Sequence, residues 1–505
     1  MSTKLHAFCI AGTNSGAGKT TITIALLRAL KRRGIKVAPF KCGPDYIDTA
    51  FHRAACGSPS RNLDSWMVPS GLSRSFEAGI EGKDCAVIEG VMGLFDGAKP
   101  GRLEGSTADV ARSLNVPVLL VVNARGMAGS ISALVKGYCT YRPEIKIIGV
   151  IANNVSSERH AEILRTSLKK DRLPPLLGWL PRDEKLKLPE RHLGLVPVFE
   201  NRKTGEWFDR LADVCEKHIE IDRILKVSGV RCQVSGAGGQ KKDDRRRMAE
   251  DRRQRTRLRL KTTPWQAGDR RQKTAKTTKL LINHPVIQSS IHPIRIGIAY
   301  DDAFNFYYED NFDALRNAGF EIVFFSPLHD KALPEGIKFL YIGGGFPEVF
   351  AGRLSKNKSM LRSVSDFAAS GAPVFAECGG FMYLSETISC GGIKYNMSGV
   401  IPCRIKMESK LHSLGYREIK LRQSSFLGKR GTLLRGHEFH WSSAEFTSEN
   451  ITPAFEARGT RKNSKWMPAG IKINNVIASY IHIHFLSNPS ITINIFKSLQ
   501  KRLLF

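Results

Sequence analysis

Nowhere in the 505-residue chain do eighteen apolar residues follow one another, so a membrane-spanning helix is not expected. Met1-Ser2-Thr3-Lys4 leads straight into a short apolar run with no signal-peptide pattern, and a cytoplasmic protein is the expectation. Cys-x-x-Cys pairs are missing too. The ten cysteines stand apart at 9, 42, 56, 85, 139, 215, 232, 378, 390 and 403, with no metal-like spacing, which fits free thiols in a reducing compartment. Acidic residues are in short supply, 47 Asp and Glu against 77 Lys and Arg, giving a formal charge of +30. Part of that excess is local: between Lys226 and Lys279, 18 basic residues face 5 acidic ones. The remaining surface is moderately basic and suits a polyanionic substrate.

What is present begins with mass. Hydrophobic residues make up 42% of the chain, enough to bury cores, and at about 150 residues per domain the length implies two or three domains. Short β-branched runs alternate with helical stretches from Lys4 to Pro181. Ala7–Ala11, Ile35–Phe40, Cys85–Ile88, Val116–Val122, Ile145–Ala152 and Leu176–Leu180 read as buried parallel strands, with helices at Thr21–Leu30, Ala108–Leu114, Ser130–Tyr138 and Glu158–Leu168. The fold class is therefore α/β and doubly wound, with active loops expected at the carboxyl ends of the strands.

The first such loop is Gly12-Thr13-Asn14-Ser15-Gly16-Ala17-Gly18-Lys19-Thr20, between a strand and a helix. Its glycines let backbone N–H groups approach phosphate oxygens, and the helix N-terminus adds partial positive charge. Lys19 is expected on the terminal phosphates of ATP and Thr20 on Mg²⁺. Five residues separate Gly12 from Gly18 where the usual phosphate loop has four. Two further loops, Pro39 to Asp48 and Ile88 to Gly97, join carboxylates to glycines and face the first loop. Acids there can bind Mg²⁺ directly or through water, although either loop alone reads equally well as turn chemistry.

These segments, together with Asn62-Leu63-Asp64 and Pro189 to Leu195, resemble the cobyrinate a,c-diamide synthases of corrinoid biosynthesis, whose front domain is like dethiobiotin synthetase. The resemblance implies ATP-dependent activation of corrin-ring carboxylates. It places Lys19 on phosphate, Thr20 and Glu89 on metal, and Asp45 and Asp48 near the activated carboxylate. Asn153 has two readings of equal weight, as an adenine contact or as the cap of the next helix.

From Val227 to Pro293 the pattern breaks. Gly236-Ala237-Gly238-Gly239 is followed by Arg245-Arg246-Arg247, Arg252-Arg253 and a Thr/Lys tract. High charge and few aromatics favour a largely disordered basic linker. An anion-binding tether is the other reading.

A second α/β region starts at Ile294–Tyr300 and continues through strands Glu321–Phe325, Phe339–Ile342 and Pro373–Ala376, with a helix at Asn311–Ala318. Gly343-Gly344-Gly345-Phe346-Pro347-Glu348 follows the third strand and Glu377-Cys378-Gly379-Gly380 the fourth. A cysteine at such a strand-to-helix turn is expected to be exposed at the sheet edge, with its thiolate favoured by the helix N-terminus. Cys378 with His482 reads as a nucleophile and base for amide hydrolysis, and the N–H groups of Gly344, Gly345 and Gly379 as an oxyanion hole. This half resembles class I, or triad, glutamine amidotransferases of the cobyric acid and cobyrinate synthase branch, on Gly343–Glu348, Ala376–Gly380, Gly436–His440 and Tyr480–His484. Many triad enzymes carry Glu two residues after the histidine. That position is His484 here, so the orienter of His482 is left open.

Together the readings give an ATP-dependent amide ligase domain at 1–225, a basic linker at 226–293 and a glutamine amidotransferase domain at 294–505. The implied reaction is glutamine- or ammonia-dependent amidation of the a and c carboxylates of cobyrinic or hydrogenobyrinic acid through an acyl phosphate. The implied partners are a tetrapyrrole polycarboxylate, L-glutamine and ATP with Mg²⁺; a homodimer is open to the chain, and neither a membrane nor nucleic acid is expected. A nickel-sirohydrochlorin a,c-diamide synthase shares the architecture. A DNA-partitioning-type P-loop ATPase would use the basic segment but has no need of Cys378.

Overall fold

In the front half, strands rich in Val, Ile and Leu are buried on both faces and pair in parallel, as the continuous apolar runs require. A computed structural model describes residues 5–99, 101–186, 190–191, 194–195, 202–230, 293–449, 451–461 and 463–503. The sequence alternates β1 (Leu5–Gly12), α1 (Lys19–Arg32), β2 (Val37–Cys42), α2 (Ile47–Cys56), β3 (Arg61–Leu63), α3 (Leu72–Ile80), β4 (Cys85–Gly93), α4 (Thr107–Ser113), β5 (Val118–Asn123), α5 (Ser130–Tyr141), β6 (Ile147–Val155), α6 (Glu158–Lys170) and β7 (Leu176–Pro181). The sheet order is β3-β2-β4-β1-β5-β6-β7, which puts β1 at the centre and the carboxyl ends of β1, β2 and β4 side by side. The loops that leave those ends are therefore neighbours in space.

α1 buries Ile22, Ala25, Leu26, Ala29 and Leu30 in a core shared with Leu211, Ala212 and Cys215 of the helix Arg202–His218. Each fully buried Leu or Ile there contributes about 2 kcal/mol. The described front half runs past residue 225, because the strand Gly229–Val230 pairs antiparallel with the start of β1. The linker reading for 231–292 lies outside the described residues. So do parts of the Pro189–Leu195 motif, although Glu190–Arg191 and Gly194–Leu195 form a two-stranded pair.

The rear half is built on a sheet of Phe320–Phe325, Ile294–Ala299, Phe339–Ile342, Val374–Glu377 and Val476–Ser479 in parallel, closed by antiparallel Ile471–Ile473. To this the chain adds an antiparallel sheet ordered Met467–Ala469, Phe455–Gly459, Ser413–Leu421, Leu433–His440 and Ile481–Ile483. His437 and His482 are register partners across it. Among the described residues no helix is long and apolar enough to cross a membrane.

Met1–Arg231 and Pro293–Phe505 form one compact body. Its two halves meet on an aromatic cluster of Tyr46, Trp66, Met67, Val68, Phe306 and Tyr308. Polar contacts flank it: Arg61 donates to Asp310 at 2.7 Å and to Asp313 at 2.6 Å, and Tyr416 donates to Asp64 at 2.7 Å.

Candidate active sites at the phosphate loop and the cysteine turn

The loop before α1 turns through Gly16 at φ 78° and Gly18 at φ 103°, conformations that favour glycine. A Cβ at Gly18 would also come 2.0 Å from Asn153 Nδ2, so nothing larger fits. Asn153 donates to Ala17 O at 3.0 Å and thereby braces the loop. Helix capping, the second reading of Asn153, is not what it does: β6 runs on to Val155, and Ser157 caps α6 by accepting from His160 N. Lys19 folds back to donate to Asn14 O at 3.3 Å, and burial together with the Lys41 charge pulls its pKa down.

Thr20 and Glu89, the two metal candidates, meet directly: the Thr20 hydroxyl donates to Glu89 Oε1 at 2.6 Å. Glu89 is fully buried and holds two more partners, Lys41 Nζ at 2.8 Å and His52 Nε2 at 2.6 Å. Lys41 also donates to Asp48. A single ammonium thus bridges two buried carboxylates. Burial alone would lower the Lys41 pKa, and the charges of Asp48 and Glu89 more than reverse that and raise it. Asp48 goes up, chiefly through burial and then through its acidic neighbours; Glu89 stays low because Lys41 and His52 outweigh its burial. Asp45 is used differently. Its Oδ1 accepts from Ile47 N at 2.8 Å and Asp48 N at 3.0 Å, which is turn chemistry at the start of α2.

Sequence reasoning does not single out Lys41 and His52 as site residues. Lys41 lies inside the Pro39–Asp48 segment, where a lysine on a buried strand flanked by acids is the available signal. Asn62 and Asp64 also acquire roles. Asn62 Nδ2 donates to Gly43 O at 2.7 Å and Asp45 O at 2.9 Å, shaping the acid loop, while Asp64 accepts from Tyr416 of the rear half.

Among the described residues no cluster of three or more His, Cys, Asp or Glu is arranged to hold a metal alone. Mg²⁺ at a nucleotide site normally takes one or two protein carboxylates, with phosphates and water completing its shell. Thr20 Oγ1, Glu89 and Asp48 are hard oxygen donors of that kind, and the Lys41 ammonium between the two acids shows that their pocket accepts a cation.

At the rear site Cys378 sits at φ 49°, ψ −104°, a strained turn between the strand Val374–Glu377 and the short helix Gly379–Leu384. Its N–H donates to Ser479 O at 2.7 Å, tying the turn to the neighbouring strand. Two expectations for the thiol are corrected. It is buried at 6% exposure, not exposed at the sheet edge. Its pKa is raised, because burial and then the Glu348 charge outweigh the Gly379 N–H that favours the thiolate. A six-residue helix is too short to overcome that desolvation.

The glycines expected to form the oxyanion hole are brought together. Gly380 N donates to Gly343 O at 2.8 Å, and a Cβ on Gly379 would lie 3.0 Å from Gly345 N. The His482 ring packs on the same loop, its Cε1 only 2.3 Å from where a Gly344 Cβ would be. His482 is held neutral, its pKa pulled down to about 3 by burial. The Cys378 thiol donates to Phe439 O at 3.8 Å; among the described residues no hydrogen bond joins it to His482. His484, the other imidazole, has Nε2 3.6 Å from Asp310 Oδ2.

A cavity of about 450 Å³ has Phe381, Glu438, His440, Tyr480 and Ser479, whose carbonyl accepts from Cys378 N, in its lining. His440 stacks on Tyr480 at 3.6 Å and meets Glu438 Oε1 at 3.1 Å. Glu438 also pairs with Arg417 at 2.6 Å and is held down to about 2: burial pushes it up, and His440 and Arg417 prevail. All nine described cysteines are free.

The two halves match different sequence families. Residues 8–196 match the CobQ/CobB/MinD/ParA nucleotide binding domain, and residues 295–490 match the CobB/CobQ-like glutamine amidotransferase domain. The chain is 41% identical over 485 residues to the cobyrinate a,c-diamide synthase of Syntrophotalea carbinolica, covering 95% of each protein. It is 38% identical to that of Priestia megaterium over 96% of this chain and 95% of the relative. To that of Listeria monocytogenes it is 37% identical, over 98% of this chain and all of the relative.

Proposed function

Because this chain belongs to the cobyrinate a,c-diamide synthase family, we propose that it amidates the a and c side-chain carboxylates of cobyrinic or hydrogenobyrinic acid, with ATP activating each carboxylate and glutamine supplying ammonia. The observation that carries this reading is the presence, in one compact body, of the Thr20–Glu89–Lys41–Asp48 cluster at a phosphate loop and the strained Cys378 turn.

A carboxylate does not react with ammonia because oxide is a poor leaving group, and phosphorylation converts that oxygen into one that leaves readily. In this reading Gly12 to Gly18 present N–H groups to the triphosphate, and Lys19 moves from Asn14 O onto the transferred phosphoryl group. Thr20 and Glu89, with Asp48, would hold Mg²⁺, which would supply neutralising charge for the phosphates. Lys41 holds the two acids in place, Asp45 presents the loop, and Asn153 sets the position of Gly18.

At the rear site His482 takes the Cys378 proton as the sulfur attacks the glutamine amide carbon. The oxyanion is held by N–H groups of the Gly344, Gly345 and Gly379 cluster. The imidazolium returns the proton to the departing ammonia, and water then cleaves the thioester to glutamate. Residues 1–225 carry the ligase chemistry and 294–505 the glutaminase. Mass spectrometry of products from cobalt-loaded, metal-free and nickel-loaded tetrapyrrole acids with ATP, Mg²⁺ and glutamine tests the proposal. Stepwise replacement of a carboxyl OH by NH₂ on the a and then the c side chain of a corrinoid acid, or in the reverse order, is expected; amidation of nickel-sirohydrochlorin alone would overturn the substrate.

A further inference from the structure

A histidine that serves as a general base needs its ring fixed, and the usual device is a hydrogen bond to the nitrogen that does not meet the nucleophile. His482 has no such bond: its Nδ1 is buried and without a partner among the described residues. Packing holds the ring instead. One side rests on Gly344, where even a Cβ would collide. Against it from the front half lies Tyr46, with ring centroids 4.8 Å apart and the planes inclined by 36°.

Tyr46 is itself enclosed. Its ring stacks on Phe306 at 5.3 Å and contacts Tyr308 at 4.8 Å, and Tyr308 contacts His484 at 4.5 Å. The result is a continuous run of rings, His482–Tyr46–Tyr308–His484, in which only Tyr46 comes from the front half. The docking that places it is anchored nearby, since Asp310 accepts from Arg61 at 2.7 Å and from Ser75 at 2.6 Å, both front-half residues. Asn62, next to Arg61, fixes the loop that carries Tyr46.

We propose that Tyr46 is a positioning residue for glutamine hydrolysis: the ring supplied by the ligase half sets the orientation of His482, so the glutaminase site is complete only when the two halves are docked. This rests on the reading of Cys378 and His482 as the glutaminase pair. It deepens that reading by placing part of the site's support on the opposite half, on the same loop as Asp45 and Asp48. A change in that loop would therefore be felt at the ammonia-producing site without any group moving between them.

The test uses the full chain and glutamine alone, reading glutamate release, so that it does not depend on the identity of the tetrapyrrole. Tyr46→Leu keeps apolar volume and removes the flat ring. It is expected to lower glutaminase kcat about 10- to 100-fold, because small misplacements of a catalytic group are costly, while KM for glutamine changes less than about threefold. Tyr46→Phe is expected to restore kcat to within about twofold of the parent, since the ring and not the hydroxyl is what His482 meets. Thermal melting of each variant separates misfolding from misplacement. Should Tyr46→Leu not fold, Arg61→Ala loosens the docking without touching the rings and is expected to lower kcat in the same direction. Parent-like kcat in a folded Tyr46→Leu, or a Tyr46→Phe as impaired as the Leu variant, would overturn the proposal. Cys378→Ala is the control for the underlying reading. If it retains glutaminase activity the pair is misassigned, whereas if it is inactive and folded Tyr46→Leu is unimpaired, only the positioning role fails.

Discussion

The phosphate-loop site and the cysteine site handle burial in opposite ways. At the first, buried polar groups are paired with one another: Lys41 with Asp48 and Glu89, and Glu89 with His52 and Thr20. At the second, the central groups are taken out of water and left neutral. Burial raises the Cys378 thiol and lowers His482 to about 3, with His437 and His484 each lowered to about 4. The contrast follows from the chemistry. In the proposed roles, a site for phosphates and a metal ion needs polar groups fixed before its ligands arrive, whereas a thiol nucleophile and its base need an unprotonated imidazole and a thiol that ionises during the reaction.

The sharpest way to break this comparison is to disable one site and watch the other. Cys378→Ala is expected to lower glutamine hydrolysis by at least about 10³-fold while amidation from added ammonium salt continues, because carboxyl activation lies in the other half. Loss of ammonia-dependent amidation in a folded variant would show that the two sites are not chemically separate. Lys19→Ala should do the converse, reducing amidation from either nitrogen source by about 10²-fold or more and sparing uncoupled glutamine hydrolysis. Steady-state rates with glutamine and with ammonium check both.

Charge pairing can be tested by stability. Lys41→Met leaves two buried carboxylates facing one another, and a loss of about 3–5 kcal/mol in urea unfolding is expected, with amidation abolished. An unchanged midpoint would mean that the acids share a proton without help. The neutral site predicts a pH effect of definite sign. His482, His437 and His484 have folded pKa values below the ordinary 6.5, so the unfolded chain binds protons first as pH falls. Their stabilisation is fully present above pH 6.5 and is lost toward pH 4 for His437 and His484 and toward pH 3 for His482, about 2 kcal/mol for each by pH 5. Melting temperatures between pH 7 and 5 should fall accordingly, and His437→Gln should flatten the dependence by one histidine's share. Smallest of all, replacing 231–279 by a neutral linker of equal length should leave coupled turnover within about twofold if, as the composition leads one to expect, that segment takes no part in the chemistry. If it steers the acidic substrate instead, apparent substrate affinity should drop most at low salt.

Much of the front half is legible in the sequence because parallel strands buried on both faces write themselves as apolar runs, and because a glycine loop that ends in Lys19-Thr20 between strand and helix suits little besides phosphate. Strand ends are less so: β2 and β6 run two and three residues beyond the expected Phe40 and Ala152, through polar Lys41 and Asn153, which pair in the ladder all the same. In the rear half the parallel core is readable, but the antiparallel sheet carrying His437 and His482 is not. Its strands, such as Ser413–Leu421 and Leu433–His440, mix polar and apolar residues without strong alternation. Cys378 is legible as a turn and illegible as a titrating group, since its environment comes from Phe439, Glu348 and Ser479, far away in sequence. Tyr46 is written in the acid loop, but its contact with His482, 436 residues later, is a property of the docked halves.

The backbone of Cys378 carries a cost that has nothing to do with its sulfur. A β-carbon at φ 49°, ψ −104° destabilises the turn by about 1–3 kcal/mol, and glycine would relieve it. In its proposed role as nucleophile, the native residue is thus a compromise between thermodynamic stability and reactivity. Cys378→Gly should melt higher than Cys378→Ala although both are inactive as glutaminases, and the gap between their melting temperatures measures the strain that the fold carries at this turn.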